Sequence, residues 1–195
     1  MFRQTITATA LLALCSIMPA QAQDVTDYLG VPGPIKVGDT DYVLSWSSNP
    51  HPGYFKQEYL PEGAAADSYE SMVMVEFLAT DAPFTEVVGA QAAMVEQRKG
   101  SDPVANYAIF DNPDNGEYLL DFLLSTKDKN GEFILEWNGY RYVEGEFDGQ
   151  KGSMLFAISE RAYGDAASEA FLRNLREFKA QHLSQLTEAE LPQLD

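Results

Sequence analysis

Cysteine and histidine are almost missing from this chain: 195 residues contain one Cys, Cys15, and two His, His51 and His182. Without a second cysteine no intrachain disulfide can form, and two distant histidines offer no pair spaced to hold one metal ion. Positive charge is also scarce, with 13 Lys and Arg against 30 Asp and Glu and a net charge of −17. Such a surface repels phosphate backbones and anionic headgroups, which excludes nucleic acid as a partner and disfavours adsorption to membranes. No nucleophile elbow of the Gly-x-Ser-x-Gly type is present. Gly30, Gly33 and Gly38 precede a strand rather than opening a helix, so a phosphate-binding loop is missing too. No cofactor and no metal is called for.

What is present starts at the amino terminus. Arg3 is the only charge before Asp24, and an apolar run from Ala8 to Met18 ends in Ala20-Gln21-Ala22. A basic start, a core too short to span a bilayer and small residues at the cleavage positions predict a signal peptide over 1–22. The product is then exported, periplasmic or extracellular. Lipoprotein anchoring through Cys15 is disfavoured because Leu14, not a small residue, precedes it. Cleavage leaves a cysteine-free chain of roughly 170 residues, enough for one core, and its later segments contain no run near the ~20 apolar residues of a membrane span.

Residues 23–41 are rich in Gly and Pro and read as an extended lead-in without a regular element. From Tyr42 alternation begins: Tyr42, Leu44 and Trp46 would share one strand face, and Asn49 to Gly53 turns the chain into a second strand, Tyr54 to Leu60. Ser71 to Leu78 is apolar on both faces and predicts a central strand covered above and below. Pro83 sits at a helix start, Phe84, Val87, Val88, Gln91, Met94 and Val95 recur at helical spacing, and Arg98-Lys99-Gly100 ends that helix. Four more strands follow, Ala105 to Phe110, Glu117 to Thr126, Glu132 to Tyr142 and Ser153 to Glu160, joined by Asn-Gly and Asp-Gly reversals. Asp165 opens a last helix with Phe171, Leu172, Leu175, Phe178, His182 and Leu186 as its stripe. The expected fold is α+β: a central antiparallel sheet of about six to seven strands packed by two main helices, in the order βββαββββα. A single domain spans 42–187, and 188–195 is a polar tail that frays.

Gln57-Glu58-Tyr59-Leu60-Pro61-Glu62-Gly63, followed by Tyr69 and Met72, resembles a pattern in small exported bacterial proteins of unassigned function. In those relatives an aromatic, usually Trp, stands where Tyr69 is. The element order from Tyr42 to Phe178 is similar to the Mog1/PsbP-like fold. Neither resemblance implies catalytic residues.

The aromatics are the candidate site: Trp46, Tyr54, Tyr59 and Tyr69 near the first turns, with Trp137, Tyr140 and Tyr142 on a later strand. Sharing one open face, they would form a stacking surface for a carbohydrate, peptide or lipid fragment; alternatively they fill the sheet's own core. Glu58 and Glu62 offer a carboxylate pair for sugar chemistry, set against ordinary solvated turn residues. Asp111, Asp114, Asn115 and Glu117, like Asp128 to Gly131, read as turn chemistry rather than a calcium loop. His51 is expected in a solvated turn and His182 in packing. Three functions follow: a non-catalytic binding or accessory protein of the bacterial envelope, acting on a protein or envelope component; a small-ligand carrier with an aromatic-lined pocket; or a carboxylate-based hydrolase.

Overall fold

The computed structural model describes residues 25–195; the expected leader, with Cys15, lies outside the described residues. Eight strands form one sheet: β1 (Ile35–Val37), β2 (Thr40–His51), β3 (Tyr54–Pro61), β4 (Ser71–Ala79), β5 (Asn106–Asn112), β6 (Glu117–Lys127), β7 (Phe133–Phe147) and β8 (Gln150–Tyr163). Two helices, α1 (Phe84–Arg98) and α2 (Asp165–Glu188), complete the elements of the described residues. The spatial order is β1-β2-β3-β4-β8-β7-β6-β5, every neighbouring pair is antiparallel, and the sheet curls into a half-barrel.

This overturns the expected six to seven strands in the order βββαββββα: the described residues form eight, four before each helix. The additional strand is β1, inside the stretch expected to lack regular structure. Val37 pairs with Thr40 across Gly38-Asp39, and Gly38 takes φ +57°, so the glycine read as a breaker is the corner of a tight hairpin. Two alternating apolar residues, Ile35 and Val37, were too short a signal among the surrounding prolines and glycines.

The second correction concerns β2. Its register shifts between Leu44 and Trp46, a bulge that puts Trp46 opposite Glu58 while Leu44 stands opposite Tyr59. Tyr42 and Leu44 therefore face one side and Trp46 the other, because an extra residue reverses the period-two alternation.

Both sheet faces are covered, in different ways. On one, α2 lays Phe171, Leu175, Phe178 and Leu186 against Val73, Val75, Phe77, Trp137, Phe156 and Ile158. On the other, α1 sets Val88, Ala92 and Val95 against the sheet beside β5 and β6, near Leu120 and Phe122. Alternate β4 residues enter the two cores, Val73, Val75 and Phe77 on the α2 side and Met72 and Met74 on the α1 side. The 188–195 segment is not frayed: Leu191 and Leu194 pack on the α2-side core, and the Asp195 N–H donates to the Leu29 carbonyl (3.0 Å). No helix among the described residues is long and apolar enough to cross a membrane.

Candidate functional site

α1 packs chiefly on β5 and β6, and the same face of the sheet continues over β7, β8, β4 and β3. Here a cleft of about 230 Å³ opens, floored by those four strands and walled by Ala66 and Tyr69 from the β3–β4 connection. Its side chains include Lys56, Glu58, Glu136, Asn138, Tyr140 and Arg161. Cross-strand register explains the convergence: Lys56 is opposite Glu76, Arg161 opposite Glu136, Asn138 opposite Ser159 and Tyr140 opposite Ala157. Opposed residues project to the same side of a sheet, so four strands deliver their polar side chains to one surface.

The polar groups form two sets. In the first, the Lys56 ammonium lies between Glu58 Oε1 (3.2 Å) and Glu76 Oε1 (3.4 Å), and the Tyr54 hydroxyl donates to Glu76 Oε2 (2.9 Å). In the second, Glu136 accepts from Arg161 Nε, from the Tyr69 hydroxyl (3.1 Å) and from Asn138 Nδ2 (3.1 Å), and Asn138 Oδ1 accepts from Ser159. The Arg161 guanidinium also lies 4.1 Å from the centre of the Tyr69 ring. Three carboxylates against two cations leave the site slightly negative.

Burial and neighbouring carboxylates fix the protonation of this surface. Burial raises the Tyr54, Tyr69 and Tyr140 phenols far above their usual range, and Glu76 or Glu136 beside them adds to the shift, so all three remain proton donors. Burial disfavours the charged Lys56 ammonium, yet Glu76 and Glu58 outweigh it and raise its pKa. Arg161 shows the same balance: burial works against its charge, and Glu136 overcomes it. The cleft thus presents charged donors, charged acceptors and neutral phenols together.

The expected aromatic site divides between the two faces. Tyr69 and Tyr140 line the cleft, Tyr54 is tied to its first polar set, and Trp46, 43% exposed, stands on the same face across from Glu58. Tyr142 shares that face, buried edge-on against Tyr140. Tyr59 and Trp137 belong to the opposite core. The Tyr59 hydroxyl donates to the Val31 carbonyl (2.6 Å), while Trp137 donates through Nε1 to Asp121 (3.1 Å) and packs on Phe178 and His182. Gly139 is required beside it, since a Cβ there would lie 2.7 Å from the Trp137 ring.

Glu58 reaches the cleft, but Glu62 sits exposed in the turn after β3, so the two do not converge on it. Glu117, read as turn chemistry, instead pairs with Arg141 (2.9 Å). Asp128 accepts the N–H groups of Asn130 (2.8 Å) and Glu132 (2.9 Å), a local turn. His51 is exposed beside Tyr54. His182 stacks on Phe178 with ring centres 4.0 Å apart and also approaches Glu160. Among the described residues no group of three or more His, Cys, Asp or Glu converges on a metal position.

Sequence reasoning missed Lys56, Glu76, Glu136, Asn138, Ser159 and Arg161. A signal for two of them existed: Glu76 is the lone charge in Ser71–Ala79, and Glu136 is the first charge in the apolar start of β7. A charge isolated in an otherwise apolar strand needs a partner, and only the strand order shows that Lys56 and Arg161 supply it.

A family model matches residues 29–191, which include every side chain of this cleft. The chain belongs to a small uncharacterised family. No curated protein and no solved structure matches it.

Proposed function

We propose that this protein is an exported, non-catalytic binding module that holds a hydroxyl-rich component of the bacterial envelope, a saccharide unit, in the cleft on the α1 face. The observation that carries the reading is the four-strand surface where Lys56, Glu58, Glu136, Asn138 and Arg161 lie beside Tyr69 and Tyr140. A sugar ring offers hydroxyls that donate to carboxylates and accept from cations and amides, with an apolar C–H face that suits an aromatic ring. Phenols kept protonated by burial add neutral donors. The exposed Trp46 on the same face extends the stacking surface beyond the cleft.

Export rests on the basic start, apolar core and Ala-Gln-Ala ending of residues 1–22. The strong negative charge suits a soluble envelope protein and argues against nucleic acid. The resemblance to Mog1/PsbP-like domains adds no residue to this site. A small-ligand carrier calls for a closed apolar pocket and a hydrolase for converging carboxylates, whereas this cleft is lined by charged and polar groups and Glu62 lies exposed in the turn after β3.

Calorimetric titration of the purified protein with N-acetylglucosamine oligomers and maltooligosaccharides tests the proposal. Binding to at least one series should weaken about tenfold or more in Tyr140→Phe or Glu58→Gln, with the melting temperature nearly unchanged. An absence of heat with every saccharide, or unaltered binding in both variants, refutes the assignment.

A further inference from the structure

The far edge of the sheet is formed by β5. Among the described residues β5 is the terminal strand and pairs only with β6, and its sequence, Asn106-Tyr107-Ala108-Ile109-Phe110-Asp111-Asn112, has no proline or lysine to guard the edge. Ile109 and Phe110 are 43% and 48% exposed, and each flanking helix adds an exposed apolar residue, Met94 from α1 and Leu172 from α2. The Tyr107 N–H is taken up by Asn106 Oδ1 (3.0 Å) rather than by β6. Tyr107, Ile109 and Asp111 therefore turn their backbone groups outward, as alternate residues of an edge strand do.

We propose that a second copy of this chain docks on this edge, its β5 antiparallel to the first about a two-fold axis at Ile109. Three features select that occupant and register. Ile109 meets its own counterpart, and the outward backbone groups of Tyr107 face those of Asp111 in the partner. A ring carrying a cation then meets a carboxylate, because the Lys99 ammonium, which also pairs with Glu96 (2.7 Å), lies 4.9 Å from the centre of the Tyr107 ring. Moving the axis to Asp111 would oppose two carboxylates instead.

The third feature is shape. In this register Phe110 of each copy stands across from Ala108 of the other. Ala108 lines a cleft of about 290 Å³ between β5, β6 and α2, with Val104, Leu123, Leu172 and Leu175 among its apolar walls. Phe110 lies on the same side of the sheet, since it is opposite Leu119 as Ala108 is opposite Asp121. A two-fold interface gives each subunit both the protruding ring and the apolar cleft that receives it. The pairing also gives the bare edge its missing hydrogen bonds and joins two sheets into one.

Sedimentation velocity of the signal-free protein, from micromolar to submillimolar concentration at physiological salt, tests this. The parent chain should show twice the monomer mass, and Phe110→Glu should be monomeric over the same range with an unchanged circular-dichroism spectrum. Lys99→Glu should raise the dissociation constant at least about fivefold, and Asp111→Lys added to it should restore the parent value to within about twofold. This exposed pair keeps the test decisive even if Phe110→Glu does not fold. A parent chain monomeric throughout, including one whose edge takes only an unrelated peptide, overturns the proposal, as does failure of the charge swap to restore association.

Discussion

Gln57 shows how one buried amide fixes the chain's entry into the fold. Its Oε1 accepts the N–H groups of Tyr28 (2.6 Å) and Leu29 (3.1 Å), and its Nε2 donates to the Tyr59 hydroxyl (2.6 Å). Gln57→Leu keeps the volume but removes the acceptor of the Tyr28 N–H and leaves the Leu29 N–H only its second acceptor, Asp27 Oδ1 (3.2 Å), and should cost about 1–3 kcal/mol in urea unfolding. Arg141 acts likewise at the other end: Nη1 donates to the carbonyls of Leu186, Thr187 and Ala189 (3.2 Å each), while Nε and Nη2 hold Glu117. A cation on the last carbonyls of α2 answers the negative helix end. Arg141→Met should lower stability by about 3 kcal/mol, read as a reduced urea midpoint with an unchanged slope.

His182 supplies a pH dependence. Its Nδ1 faces the Phe178 carbonyl (2.9 Å) and its Nε2 faces Glu160 (3.5 Å), so both ring nitrogens meet acceptors. Burial opposes the charged ring, but the Glu160 carboxylate and the Phe178 carbonyl prevail and raise its pKa above 6.5. The native state then binds the proton more tightly than the unfolded chain. Its stabilisation is complete below the unfolded value and disappears as pH rises through the folded one. Urea midpoints followed from mildly acid to mildly alkaline pH should show this loss in the parent relative to His182→Gln; parallel profiles would contradict it.

At the scale of elements, the sequence disclosed those whose signals are local and periodic. Pro83 and Arg98 bound α1 as their chemistry requires, and Asp148-Gly149 turns β7 into β8 with φ values of 50° and 70°. What local pattern could not disclose depends on partners distant in sequence. β1 exists because β2 folds back on it, and the β2 bulge is visible only in the register with β3. The end of the chain reads as polar, yet Leu191 and Leu194 find a surface made partly by the lead-in. Truncation after Glu188 should remove this packing and lower stability by about 2–3 kcal/mol, seen as a melting temperature reduced by several degrees.

The candidate site was legible by the same rule. Tyr54, Tyr69, Tyr140 and Glu58 were named from the sequence and meet on one face, whereas Tyr59 and Trp137 are consumed by the opposite core. Alternation assigns residues to faces within a strand but does not say which faces of different strands coincide. Glu76, Glu136 and Arg161 became site residues only when β4, β8 and β7 were seen as neighbours.

For the whole molecule, eight strands need cover on two sides, and two helices leave part of one side open. α2, the lead-in around Leu29 and Val31 and the segment around Leu191 and Leu194 close one face, while the shorter α1 packs chiefly on the β5–β6 end of the other. The open remainder is where charged and phenolic side chains gather, and the account rests on that surface being the binding site. An isotope-edited NMR titration with the saccharide giving the strongest calorimetric signal tests it most directly. The predicted result is a set of saturable shifts confined to the amides of β3, β4, β7 and β8 around Glu58, Tyr69, Glu136, Tyr140 and Arg161. Shifts gathered on the α2 face or the β5 edge, with this cleft silent, would contradict it.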